Sequence, residues 1–143
     1  MEQYTVVGID LGTTNSLVGT VIEGGVRLFA DKTGAELMPS VVGIDGSGAL
    51  IVGRAARNRR VIDPDGTAVS VKRLMGKDVN VRVGDQQLTP AQVSALILGA
   101  LLDRAQEQLG TRPSRAIITV PAWFDDTQRE ATRTAGELAG LQV

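Results

Sequence analysis

The chain has 143 residues, 43% of them hydrophobic and 22% charged, with a formal net charge of −1, the profile of one globular domain. It contains no cysteine and no histidine, which excludes disulfides, zinc sites and every catalytic arrangement built on those two side chains. The near-zero charge gives no electrostatic case for nucleic acid or an acidic membrane, and the longest apolar run, Val93 to Leu102 with Ser94 and Gly99 inside it, is too short to span a bilayer.

The opening Met1-Glu2-Gln3-Tyr4 lacks the basic segment of a secretory signal, so a cytoplasmic location is expected. Residues 4–10 and 16–23, rich in Val, Ile and Thr, are predicted as two strands of a hairpin. Gly24-Gly25 is the predicted turn into a third strand at 26–30, after which 31–38 is polar and loop-like. Pro39 precedes a strand at 40–44, and Asp45-Gly46-Ser47-Gly48 turns it into a strand at 49–52. From Gly53 the pattern becomes helical, with Arg54, Arg57, Arg59 and Arg60 on a solvated face and no interleaved aromatic residue of the kind a nucleic-acid site uses. Asp63-Pro64-Asp65-Gly66 breaks it. A short helical segment is expected over 69–75, closed by Gly76, and a small hairpin over 79–88.

Thr89-Pro90-Ala91-Gln92 is a helix start, with Thr89 as cap, Pro90 in the first turn and Gln92 completing a capping box. That helix runs to Leu109 and stops at Gly110. Two adjoining stripes, Val93/Ile97/Ala100/Leu101 and Leu98/Leu102/Ala105/Leu109, predict burial on more than one side. The strand at 116–120 has almost no polar alternation, which predicts cover on both faces. Pro121 ends it, and Asp125 or Asp126 caps a helix to Ala139, stopped by Gly140, whose buried face is Ala131, Ala135, Ala139 and Leu138. Leu141-Gln142-Val143 resembles the beginning of a further strand.

Within this frame the chemistry concentrates between the first two strands, at Asp10-Leu11-Gly12-Thr13-Thr14-Asn15-Ser16. Gly12 permits close approach to the backbone. Thr13, Thr14 and Asn15 offer hydroxyls, an amide and successive N–H groups of the kind that hold a phosphate chain. Asp10, at a strand end, suits a divalent cation, directly or through water. The other reading of the same residues is an ordinary hairpin turn with satisfied polar side chains.

Three separated blocks resemble the DnaK-type, seventy-kilodalton heat-shock chaperone family: Ile9 to Ser16, Val71-Lys72-Arg73-Leu74-Met75-Gly76, and Ile118-Thr119-Val120-Pro121-Ala122-Trp123-Phe124 continuing through Gln128-Arg129 to Ala135-Gly136 and Ala139-Gly140-Leu141. The resemblance covers residues 4–143. The short segment between Gly76 and Thr89 is similar to the HscC-type branch, and Trp123 stands where the family commonly has tyrosine. The resemblance implies an α/β fold: an actin-like (ribonuclease H-like) ATPase lobe with a mixed five-stranded sheet. Residues 1–38 and 111–143 would form its core, 39–110 a small inserted α+β subdomain with its long helix, and 141–143 a truncated last strand. Strand 116–120 would lie beside the first strand, its outer edge exposed and prone to pairing with another copy.

By the same resemblance the family binds ATP or ADP with Mg2+ between two lobes, and hydrolysis controls a peptide-binding domain in protein folding and the stress response. Gly12, Thr13, Thr14 and Asn15 would wrap the phosphates, and Asp10 would sit near the magnesium through water. Lys72 would orient the attacking water, with Asp10 and Thr13 as the other catalytic groups. Pro121, Arg129 and Arg73 would form the relay to the peptide-binding domain. The expected partners are a second lobe, the peptide-binding domain, co-chaperones and unfolded peptides, with neither nucleic acid nor membrane. The piece is expected to bind nucleotide weakly and not to complete catalysis. A sugar-kinase-like phosphotransferase lobe would share the turn at 9–16, and a short non-catalytic interaction module is the remaining alternative.

Overall fold

A computed structural model describes residues 6–143; the expected strand's residues 4 and 5 lie outside them. The chain opens as an antiparallel meander of β1 (Val6–Leu11), β2 (Asn15–Ile22) and β3 (Gly25–Leu28). The turn is Glu23-Gly24 rather than Gly24-Gly25, because Gly25 already pairs with Ile22 and Gly24 takes the left-handed position at φ 91°. The third strand accordingly begins and ends earlier than the sequence suggests. A two-residue strand, β4 (Met38–Pro39), pairs with the start of β2. The predicted strand at 40–44 is therefore split: Ser40 and Val41 carry the chain out of this sheet, and β5 (Val42–Ile44) pairs instead with β6 (Leu50–Val52).

Helix α1 (Arg54–Arg59) follows, then a single 3-10 turn at Val71–Leu74 where a short helical segment was expected over 69–75. Strands β7 (Val81–Val83) and β8 (Gln86–Leu88) form the expected small hairpin. Helix α2 (Pro90–Leu109) begins with the full Thr89/Gln92 capping box and ends on Gly110 at φ 82°, a conformation glycine adopts without a Cβ penalty. Strand β9 (Arg115–Thr119) returns parallel to β1, with Val7 opposite Ala116 and Asp10 opposite Thr119. Helix α3 (Asp126–Leu138) starts from an Asp125/Gln128 capping box. The result is a five-stranded mixed sheet ordered β3-β2-β1-β9 with β4 beside β2, plus two separate two-stranded sheets.

Alternation along β1 places Val7, Ile9 and Leu11 on one face, where they join Val18, Ala116 and the α2 residues Val93, Ile97, Leu98, Leu101 and Leu102 in one buried cluster. A fully buried leucine there contributes about 2 kcal/mol relative to exposure. The opposite face is open. Ile117 is 68% exposed, so the expectation that β9 is covered on both faces is overturned: no described element packs there. On α3 the buried residues are Thr132, Ala135 and Gly136; Leu138 lies to one side of that stripe and is exposed, contrary to expectation. Residues 141–143 make one parallel bridge, Arg115 to Gln142, which covers the beginning of the β9 edge and leaves the rest without a strand partner among the described residues.

Arg104 ties α2 to the loop after β3 by donating to the carbonyls of Phe29, Ala35 and Glu36. In that loop Asp31 accepts from the Thr33 hydroxyl at 2.6 Å and from the N–H groups of Thr33 and Ala35. These bonds, the hydroxyl foremost, hold its carboxyl at about 2. Asp45 repeats the arrangement with Ser47 and Ala49, and its carboxyl is lowered for the same reason.

Candidate phosphate-binding site

The pleat that buries Ile9 and Leu11 turns Asp10 to the open face at the end of β1. Thr119, its register partner on β9, donates its hydroxyl to Asp10 Oδ1 at 3.1 Å and lies 3.4 Å from the Ile9 carbonyl. The carboxylate is thus held from the neighbouring strand, with its second oxygen accepting no described bond. A groove of about 780 Å³ runs from this end across the open face, with Gly8, Gly19, Val21 and Ile117 in its lining.

Beyond Asp10 the chain turns through Gly12, Thr13 and Thr14. A Cβ on Gly12 would overlap the backbone carbonyl of Asn15, so the turn can close this tightly only on glycine. The Gly12 N–H donates to Ser16 Oγ at 3.2 Å, Ser16 Oγ lies 2.8 Å from Ser40 Oγ, and the Ser40 hydroxyl donates back to the Gly12 carbonyl at 2.8 Å. The Ser40 proton is committed to Gly12, so Ser16 is the donor between the two hydroxyls. The Ser40 N–H adds a bond to the Thr14 carbonyl at 2.9 Å. Among the described residues no protein group accepts from the N–H of Thr13 or Thr14. Two consecutive amides without a protein partner are donors of the kind that can meet an anion.

Lys72 sits on the 3-10 turn with Nζ 5.9 Å from the Phe124 ring centroid, a cation–π distance. Phe124 is buried, and its N–H closes the turn onto the Pro121 carbonyl at 3.0 Å. Gly76, at the end of the Lys72 segment, lies against the Gln128 backbone in the first turn of α3. The second and third sequence blocks therefore meet at Phe124, and the first and third meet at Asp10 and Thr119. No hydrogen bond or ion pair joins Lys72 to Asp10 among the described residues. Pro121 is half-buried at the end of β9, while Arg73 and Arg129 are exposed. Among the described residues Arg129 pairs only with Asp126 of its own helix, at 3.8 Å.

For a divalent cation the described residues offer no group of three or more carboxylates. A single Asp10 fits a magnesium ion held mainly by phosphate oxygens and water, which is how that ion usually binds nucleotides. Sequence reasoning missed Ser40, the Ser16 hydroxyl and Thr119. Two of them had a faint signal, a lone hydroxyl inside an apolar run: Ser40 in Met38-Pro39-Ser40-Val41-Val42 and Thr119 in Ile117-Ile118-Thr119-Val120; Ser16, one more hydroxyl in a polar turn, had none.

The chain matches the family described as Hsp70 protein over residues 6–81 and 77–143. Chaperone protein DnaK of Thermotoga petrophila is 44% identical to it over 139 residues, covering 96% of this chain and 23% of that relative. The proteins of the same name from Thermotoga maritima and Thermotoga neapolitana match at the same identity and coverage. The chain thus spans about a quarter of the length of these curated relatives.

Proposed function

The chain belongs to the Hsp70 family, and from that premise we propose that it is the first, actin-like lobe of a chaperone ATPase domain, whose Asp10–Asn15 turn binds the phosphates of magnesium–ATP or magnesium–ADP. The observation that carries this reading is the pair of unpartnered N–H groups on Thr13 and Thr14, presented beside Asp10 on a turn that only glycine can close. In this reading Gly12, Thr13, Thr14 and Asn15 wrap the β- and γ-phosphates, and Asp10 holds magnesium through water. The ion would supply neutralisation of charge on the phosphates. Lys72 faces the γ-phosphate side and, with Asp10 and Thr13, orients the attacking water; its compact ammonium suits that role. Pro121, Arg73 and Arg129 serve the relay to a peptide-binding domain.

Residues 1–38 and 111–143 would be the lobe's core and 39–110 its inserted subdomain. The whole protein would be a cytoplasmic heat-shock chaperone that hydrolyses ATP to control peptide binding. Its partners would be the second lobe, co-chaperones and unfolded peptides, and the uncovered part of the β9 edge is where a second copy would pair. A sugar-kinase-like lobe would account for the turn but not for the block from Pro121 to Leu141.

Calorimetric titration of the chain separates phosphate recognition from base recognition. Magnesium–ATP and magnesium–tripolyphosphate should bind with affinities within a few-fold of each other, and AMP should not bind measurably. Binding of AMP but not of tripolyphosphate would contradict the assignment. Single-turnover hydrolysis at the rate of a complete chaperone would contradict the expectation that this piece alone is not catalytically competent.

A further inference from the structure

We propose that Ser40 is a positioning residue of the phosphate-binding turn, acting through Gly12; the proposal rests on the reading of that turn given above. Ser40 stands 28 positions from Gly12 in sequence, yet its hydroxyl completes a closed ring with Gly12 and Ser16. The ring satisfies both the N–H and the C=O of Gly12. Both hydroxyls are almost completely buried, at 1% exposure for Ser16 and 3% for Ser40, so neither can exchange its partner for water at low cost. Pro39 and Met38 fix where Ser40 sits, because they pair with Asn15 and Ser16 at the start of β2. Its N–H then anchors the Thr14 carbonyl.

Every polar backbone group of Gly12, and the Thr14 carbonyl, is thereby turned inward. The N–H groups of Thr13 and Thr14 take no part in these bonds. Ser40 contacts no ligand in this account; it decides which backbone groups are left for one. The segment after β4 carries straight on to the β5–β6 hairpin through Val41, whose carbonyl accepts from the Gly53 N–H. The shape of the turn is therefore set from the segment that leads into the small subdomain rather than from the β1–β2 hairpin alone.

The experiment compares four chains: wild type, Ser40→Ala, Ser40→Thr and Ser40→Val. Thr and Val add the same bulk at a buried position and differ only in the hydroxyl, so their ratio isolates the ring from packing. Affinity for magnesium–tripolyphosphate, measured by calorimetry well below each unfolding midpoint, should fall about tenfold from wild type to Ser40→Ala and by a similar factor from Ser40→Thr to Ser40→Val. Amide hydrogen exchange by NMR should accelerate at Gly12 in Ser40→Ala while Val7 and Ile9 of β1 keep their protection. Exchange at Gly12 that is unchanged, or that accelerates equally along β1, overturns the proposal. So does equal affinity within both pairs. If wild type binds neither tripolyphosphate nor ATP, the phosphate reading itself fails, and the Gly12 exchange rate still decides whether Ser40 sets the turn.

Discussion

The two faces of the β1–β2–β9 sheet are built from the same strands, and they differ in almost everything else. On one, Val7, Ile9, Leu11, Val18 and Ala116 lie under α2 with no access to solvent beyond a few per cent. On the other, Gly8, Asp10, Val21, Ile117 and Thr119 line an open groove. Alternation at period two sorts consecutive residues of one strand into these two roles. Ile9 stabilises the fold while Asp10, its neighbour, is free to meet a ligand. The covered face therefore governs whether the chain folds, and the end of the open face carries the proposed phosphate site.

The largest effect should come from the covered face. Leu101 is fully buried between the sheet and its neighbours on α2, and Leu101→Ala is expected to cost about 3 kcal/mol of unfolding free energy by urea titration. A loss under 1 kcal/mol would mean that the helix does not carry the core. Thr119→Val should move the other property. It keeps the volume and removes the hydroxyl that holds Asp10, so stability should stay within about 0.5 kcal/mol while affinity for magnesium–ATP drops several-fold. A large loss of stability with unchanged affinity would contradict this division between the two faces.

A smaller change is expected at Ile117, on the uncovered edge. Ile117→Lys removes exposed apolar surface and blunts strand pairing; stability should change by less than about 0.5 kcal/mol. If the wild-type chain self-associates through this edge, light scattering should show the variant as a monomer at concentrations where the wild type is not. The smallest effect lies outside both faces. Asp31 and Asp45 have folded-state carboxyls held below their unfolded values. The contribution of Asp31 is present above about pH 4 and is lost as pH falls through about 2, and that of Asp45 is lost in the same direction as its lowered carboxyl protonates. Replacing both by Asn should flatten that acid limb of an unfolding-midpoint curve and leave the curve near neutrality almost unchanged.

Much of this contrast was legible in the sequence, and the misses share a cause. Helix α2 announces itself through Thr89-Pro90-Ala91-Gln92 and Gly110, because capping and left-handed stops are local chemistry. The turn at Asp10–Ser16 was likewise readable from its residue types. Strand β9 was misjudged on one face: an apolar run such as Ala116-Ile117-Ile118 looks the same whether one side or both are covered, and cover depends on elements elsewhere. Ser40 escaped notice for a related reason. Its hydroxyl acts on Gly12 across the sheet, and neither periodicity nor turn propensity carries information about a partner that distant. Lys72 was identified by resemblance, and its approach to Phe124 emerges only from the folded chain.

Whether the turn at Asp10–Asn15 is where this chain meets phosphate can be read from its amide NMR signals during titration with magnesium–ATP. Saturable shifts are expected at Gly12, Thr13 and Thr14, with smaller ones around Lys72, while Val21 and Ile117 on the rest of the open face stay still. Saturable shifts along Val21 and Ile117 with a silent turn would contradict it.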